Sequence, residues 1–106
     1  MSVLKLRPAE TFQGPADIPV PGQEPAKVWI TWRHKGKTDL MQWIESASSR
    51  DDVDLMAEVI VSWGSEVDEP YSREALARLL NAYPGAAQAL FFAYRRELTE
   101  GRRKNS

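Results

Sequence analysis

The 106-residue sequence predicts a single α+β domain, with a small antiparallel sheet of two or three strands in the N-terminal part followed by a compact cluster of about four helices. Three observations carry that prediction. Five of the seven prolines lie in residues 1–25, where they remove backbone donors and exclude a helix. Residues 27–35 are rich in β-branched and aromatic side chains and place Val28, Ile30, Trp32 and His34 on one face, the period of a strand. From Thr38 onward, apolar residues recur at helical spacing in four stretches separated by glycine, proline or acidic clusters.

The first 25 residues read as an irregular arm, with short extended pieces at Val3 to Leu6 and around Phe12 that are able to supply an edge strand. Lys27 to Lys35 is the best strand in the chain, and it needs a partner for its edge groups. The alternation sends Trp29 to the opposite face with Lys27, Thr31 and Arg33. After the turn at Lys35-Gly36-Lys37, Thr38 is the expected N-cap of a helix to about Ala47, with Leu40, Trp43, Ile44 and Ala47 on one stripe.

Asp52 is the expected cap of a second helix, from Val53 to Trp63, burying Leu55, Met56, Val59, Ile60 and Trp63 and ending at Gly64. Ser72 caps a third helix to about Asn81, with Tyr71 and Leu76 spaced as a hydrophobic staple. Pro84 suits the first turn of a fourth, whose stripe is Ala87, Leu90, Phe91, Tyr94 and Leu98. Phe92 falls off that stripe. Residues 26–101 thus carry the strand and helices, and residues 102–106 form a basic tail expected to be mobile.

The composition removes several function classes. The longest run of apolar and aromatic side chains is six, at Ala89 to Tyr94, against ~20 for a membrane span. No secretory pattern opens the sequence, so a cytoplasmic location is expected. Without cysteine there is no disulfide, thiolate nucleophile or cysteine-ligated metal. The net charge of −1 is strongly zoned: residues 1–44 carry +2, residues 45–74 carry −7 and residues 75–106 carry +4.

Motifs for catalysis are missing, so the expected protein is not an enzyme and takes no cofactor. His34 is the only histidine and has no ligand-spaced partner. Asp51, Asp52 and Asp54, and Glu66, Asp68 and Glu69, lack the calcium-loop pattern and read as a helix start and a solvated loop. Gly36-Lys37-Thr38 lacks the upstream glycine of a phosphate loop, since residue 31 is threonine. Arg95, Arg96, Arg102, Arg103 and Lys104 beside Phe92 and Tyr94 could serve nucleic acid, but basic residues at a helix C-terminus also complement its dipole, and the chain is slightly acidic overall. Trp29 and Phe92, off their apolar stripes, are candidates for an interface, with packing under the N-terminal arm an equally good explanation.

Phe12, then Ile18-Pro19-Val20-Pro21-Gly22, then Val28 to Lys35, then Val59-Ile60-Val61-Ser62-Trp63-Gly64 with its acidic loop, Pro70-Tyr71-Ser72, Leu76, Leu79-Leu80, Tyr83-Pro84, Ala93-Tyr94 and a basic end follow one another in an order that resembles the tail assembly chaperones of long-tailed bacteriophages and their prophage relatives. The resemblance implies a non-enzymatic protein of the host bacterial cytoplasm that binds the tape measure protein and the tail tube protein during assembly. It carries no site residues over. From the residues themselves, Trp29, Phe92, Arg95, Arg96, Arg102 and Arg103 are the candidate partner-binding set, self-association is left open, and a membrane partner is not expected. The alternative is a small nucleic-acid-binding or host-regulating accessory protein using the same basic end.

Overall fold

The computed structural model describes residues 3–101. The basic tail of residues 102–106, with Arg102 and Arg103, lies outside them. Among the described residues the order is β1 (Thr11–Ile18), β2 (Ala26–Arg33), α1 (Lys37–Ser46), a 3₁₀ turn (Ala47–Ser49), α2 (Asp52–Val59), β3 (Ile60–Trp63), α3 (Arg73–Ala82) and α4 (Ala86–Glu100). The sheet is antiparallel with order β1-β2-β3, which makes the fold α+β as the sequence predicts.

β1 and β2 pair along their whole length, from Thr11 opposite Arg33 to Ile18 opposite Ala26. The chain between them reverses at Val20-Pro21-Gly22-Gln23, where Gln23 N–H donates to the Val20 carbonyl at 3.0 Å and Gly22 has φ 77°. Proline at the second turn position and a positive-φ glycine at the third are what a type II turn requires. Pro15 is tolerated inside β1 because β1 is an edge strand. Gly14 is needed for a different reason: a Cβ there would lie 2.6 Å from Oε1 of Glu97, so its bare backbone lets α4 come down onto the strand.

The main departure from expectation is at residues 60–63. The helix expected to run to Trp63 ends at Val59, and Ile60–Trp63 becomes the third strand, with Trp32 opposite Ile60 and Ile30 opposite Trp63. Val59-Ile60-Val61 is β-branched, which weakens a helix, and the open edge of β2 offers main-chain partners that the last helical turn would have lacked. The third strand therefore comes from the middle of the chain, while Val3 to Leu6 forms none. Smaller shifts concern the helix starts. Asp51, one residue before the expected Asp52, caps α2 by accepting from Val53 N–H at 3.0 Å. α1 starts at Lys37 behind Gly36, without a side-chain cap, so Thr38 is already helical. α4 starts at Ala86, leaving Pro84 in the preceding loop. Ser72 caps α3 as expected, its Oγ accepting from Ala75 N–H at 3.0 Å.

The helices cover one face of the sheet. Ala16, Ile18, Val28, Ile30 and Trp32 on that face join Trp43, Met56, Leu76, Leu90 and Tyr94 in one buried cluster. Tyr94 is central: its ring lies 5.3 Å from Trp32 and 5.1 Å from Trp43, and its hydroxyl donates to the Arg33 carbonyl at 2.6 Å. Burial, reinforced by the Glu58 carboxylate, holds that hydroxyl far above its ordinary ionisation range.

Outside the core, Glu58 ties three segments together. It meets Lys35 after β2 at 2.6 Å and Arg50 before α2 at 2.7 Å, while its own carbonyl accepts from Arg33 Nε at 3.2 Å. The Lys35 contact is the largest influence on its carboxyl, which sits below the usual carboxylate range although burial works in the opposite direction.

Two outcomes test these assignments. Tyr94→Phe should cost about 1–2 kcal/mol in denaturant unfolding by leaving the Arg33 carbonyl without its donor, and Tyr94→Ala about 3–5 kcal/mol by opening a cavity as well. Glu58→Gln should cost about 0.5–1 kcal/mol at pH 7, the range of solvent-screened pairs. Because the folded-state pKa of Glu58 is depressed, its contribution is present above the ordinary carboxylate range and is lost as pH falls through the folded value. The gap between wild type and Glu58→Gln should therefore close as the pH is lowered below ~4; a gap that widens there would contradict the assignment.

Candidate functional site

The face of the sheet opposite the helices is formed by the alternate residues of the strands, and Trp29 stands on it. It is 38% exposed, whereas its neighbours Val28 and Ile30 are buried beneath the helices. Pro15 lies across from it on β1, and Lys27 and Thr31 flank it on β2. The main chain of Trp29 is held from the β3 side: its carbonyl accepts from Gly64 N–H at 2.9 Å, and its N–H donates to Glu66 Oε1 at 3.3 Å. The same Glu66 carboxylate occupies the place a Cβ on Gly64 would take, 2.5 Å away, so the loop after β3 is folded against the strand bearing Trp29.

Arg96 reaches this strand pair from α4. Its Nη2 donates to the Pro15 carbonyl at 3.3 Å and its Nε lies 3.4 Å from the Glu97 carboxylate. A main-chain acceptor on the edge strand is thereby satisfied by a helix side chain, and a guanidinium is placed at the rim of the Trp29 face. The structure thus links Trp29, Pro15 and Arg96, three residues far apart in sequence.

Phe92 and Arg95 belong to a second surface. Phe92 is 51% exposed on α4 and packs edge-on against Phe91, with ring centres 5.7 Å apart. It forms one wall of an open groove of about 400 Å³ with Leu55, Met56, Ala87 and Phe91, and Asp52 at its edge. The Arg95 guanidinium lies over the Phe91 ring at 5.7 Å, a cation–π distance. This groove is on the helical side of the sheet and Trp29 is on the other. The six candidate residues therefore divide: Trp29 with Arg96, Phe92 with Arg95, and Arg102 and Arg103 outside the described residues.

Part of the acidic stretch is internal bracing. Arg50 pairs with Glu58 and Arg73 with Asp54. Arg78 grips Glu69 with two donors at 2.7 and 3.0 Å, which lowers the pKa of that carboxyl. Among the described residues no group of three histidine, aspartate or glutamate side chains comes together in a way that could hold a metal ion. His34 is half-buried beside Phe12 and Leu98 at the start of β1, and its backbone N–H donates to the Glu10 carbonyl at 2.8 Å.

Sequence reasoning missed two features of the surface. Met41 is 49% exposed on α1, off the stripe of Leu40, Trp43 and Ile44, and the same periodicity that exposed Phe92 would have found it. The hold of Glu66 on the main chain of Trp29 spans 37 residues and has no local signal.

A family model described as phage tail assembly chaperone matches residues 1–105. No curated protein and no solved structure matches the chain.

Proposed function

The chain belongs to the phage tail assembly chaperone family, and from that membership we propose that it works by contact, binding the tape measure protein and the tail tube subunit in the host cytoplasm while the tail is built, without catalysing a reaction. The observation that supports this reading is Trp29: a large aromatic, 38% exposed on the sheet face away from the helices, with its main chain held by Gly64 and Glu66 and the Arg96 guanidinium on the Pro15 carbonyl of the facing strand. Aromatic and arginine side chains are the residues that most often anchor protein interfaces, and an anchor already fixed in place loses little freedom on binding. Phe92 with Arg95 supplies a second anchor of the same chemistry on the helical side, so one client can be held at two places, or two clients at once. Arg102 and Arg103, outside the described residues, complete the proposed partner-binding set.

Capture of the tape measure protein by the tagged chain tests the reading. The variant Trp29→Ala, Phe92→Ala, Arg95→Ala, Arg96→Ala should lose at least tenfold in affinity, roughly the effect of removing one anchor of ~1.4 kcal/mol or more. Circular dichroism must show the variant folded; if it is not, Trp29→Ala and Phe92→Ala are measured singly. Equal capture by wild type and folded variant would remove this surface from the proposal. A gel shift with duplex DNA at ~50 mM salt distinguishes the nucleic-acid reading, because phosphate-driven binding is strongest when salt is low.

A further inference from the structure

We propose that β2 accepts a further strand: an extended segment of a client protein pairs with its open edge at residues 26–29, in line with β3, and lays aliphatic side chains in the groove between the 64–70 loop and α3. The proposal rests on the client-binding reading and adds to it the kind of segment bound and the main-chain atoms that bind it.

β2 has eight residues and β3 four, so β3 covers only part of β2. In an antiparallel pair, alternate residues turn their N–H and C=O toward the partner strand. The rung at which the His34 N–H donates to Glu10 puts the even-numbered residues of β2 on the β1 side, so Lys27, Trp29 and Thr31 turn their main chain toward β3. Thr31 faces Ser62, and the Trp29 carbonyl accepts from Gly64. There the chain of β3 turns away. The Gly64 carbonyl accepts from Val67 N–H at 3.4 Å, and the Trp29 N–H is met by a side chain, the Glu66 carboxylate. Lys27, next in the row and exposed, has no main-chain partner on that side among the described residues. A carboxylate standing in for a strand carbonyl, followed by an open N–H and C=O, is a template for strand addition.

The ground beside this edge fits the side chains of such a strand. Those level with Ala26 and Val28 would project to the helical side of the sheet, where a groove of about 480 Å³ is lined by Val28, Ala75, Leu79 and Ala82. The segment therefore has aliphatic residues at alternate positions. Its charge follows from the loop. Glu69 is held by Arg78, but among the described residues neither Glu66 nor Asp68 is in an ion pair, and both line the groove. A client carbonyl that takes over the Trp29 N–H also releases the Glu66 carboxylate, so a lysine or arginine in the segment meets two acidic groups.

Peptides of about 10 residues, the length of a long strand, tiling the tape measure protein and the tail tube subunit, are titrated against the full chain by fluorescence anisotropy at low ionic strength. Those that bind should alternate aliphatic residues, carry a lysine or arginine, and weaken in ~0.5 M salt. N-methylation of a binding peptide should cost about tenfold or more at the amide that faces Lys27 and little at the amides on either side, which point away. The Lys27 amide should exchange quickly in the free chain and at least about tenfold more slowly with peptide bound. Lys27→Pro removes the open N–H and should lose about tenfold or more in affinity, whereas Lys27→Ala keeps it and should stay within about twofold of wild type. Asp68→Lys/Ala82→Lys, at two exposed groove positions, should also lose about tenfold. Circular dichroism checks each variant; if Lys27→Pro does not fold, the exchange of Lys27 and the methylation pattern decide. The absence of any binding peptide overturns the proposal, as does a bound peptide that leaves Lys27 exchange unchanged or is indifferent to which amide is methylated. Unchanged binding by folded Lys27→Pro overturns it too, and a change in the sedimentation of that variant alone would then give the edge to a second copy. Capture of the intact tape measure protein by wild type keeps the client-binding reading in force in all these cases, and its failure removes that reading first.

Discussion

A three-stranded sheet must have its inner face covered, and Tyr94 is the side chain through which α4 covers it. The ring packs against Trp32 of β2 and Trp43 of α1, and the hydroxyl ends on the main-chain carbonyl of Arg33. One residue thus sets the depth of α4 over the sheet and its position along β2. Gly14 makes the close approach possible, because a side chain there would collide with Glu97. Among the described residues no helix packs on the outer face, where Trp29 is 38% exposed.

The other large rings obey the same requirement. Trp32 Nε1 donates to the Gly14 carbonyl at 3.1 Å, Trp43 Nε1 to the Leu55 carbonyl at 3.0 Å and Trp63 Nε1 to the Glu69 carbonyl at 2.8 Å. In each case the ring supplies apolar area and the N–H is anchored to a main-chain acceptor of a different segment, and among the described residues no buried side-chain nitrogen or oxygen is without a partner. Fat alone would allow the helices to slide over the sheet. Counting Tyr94, four directional contacts fix segment to segment: Tyr94 joins α4 to β2, Trp43 joins α1 to α2, Trp32 joins β2 to β1 and Trp63 joins β3 to the loop after it.

How much of this was legible depends on how far apart the cooperating residues lie. The alternation in residues 27–35 is local, and it correctly separates Trp32, buried, from Trp29, open. The caps at Ser72 and, one residue off, at Asp51 are local as well. Ile60–Trp63 was misread because its apolar spacing fits a helix and a strand equally; the open edge of β2, some 30 residues earlier, decides between them. The placement of the candidate residues shows the same limit. Periodicity marks Trp29 and Phe92 as outward-facing, but only the packing of α4 reveals that they face different ways and that Arg96 is joined to the strand opposite Trp29.

The charge pattern gains meaning in the same manner. A stretch carrying −7 between basic ends suggests an acidic surface, yet Asp54, Glu58 and Glu69 are engaged by Arg73, by Lys35 and Arg50, and by Arg78. Two of these cations, Lys35 and Arg78, come from outside the acidic stretch, so part of the zoning is an internal device that holds α2, α3 and the 64–70 loop to the end of β2. What faces solvent is the remainder, including Glu66 and Asp68 beside an apolar groove, while Arg96 rims the opposite side of the sheet. Net neutrality is therefore the sum of two surfaces of opposite character on one small body, and a molecule built that way presents different chemistry to different neighbours without any change of conformation.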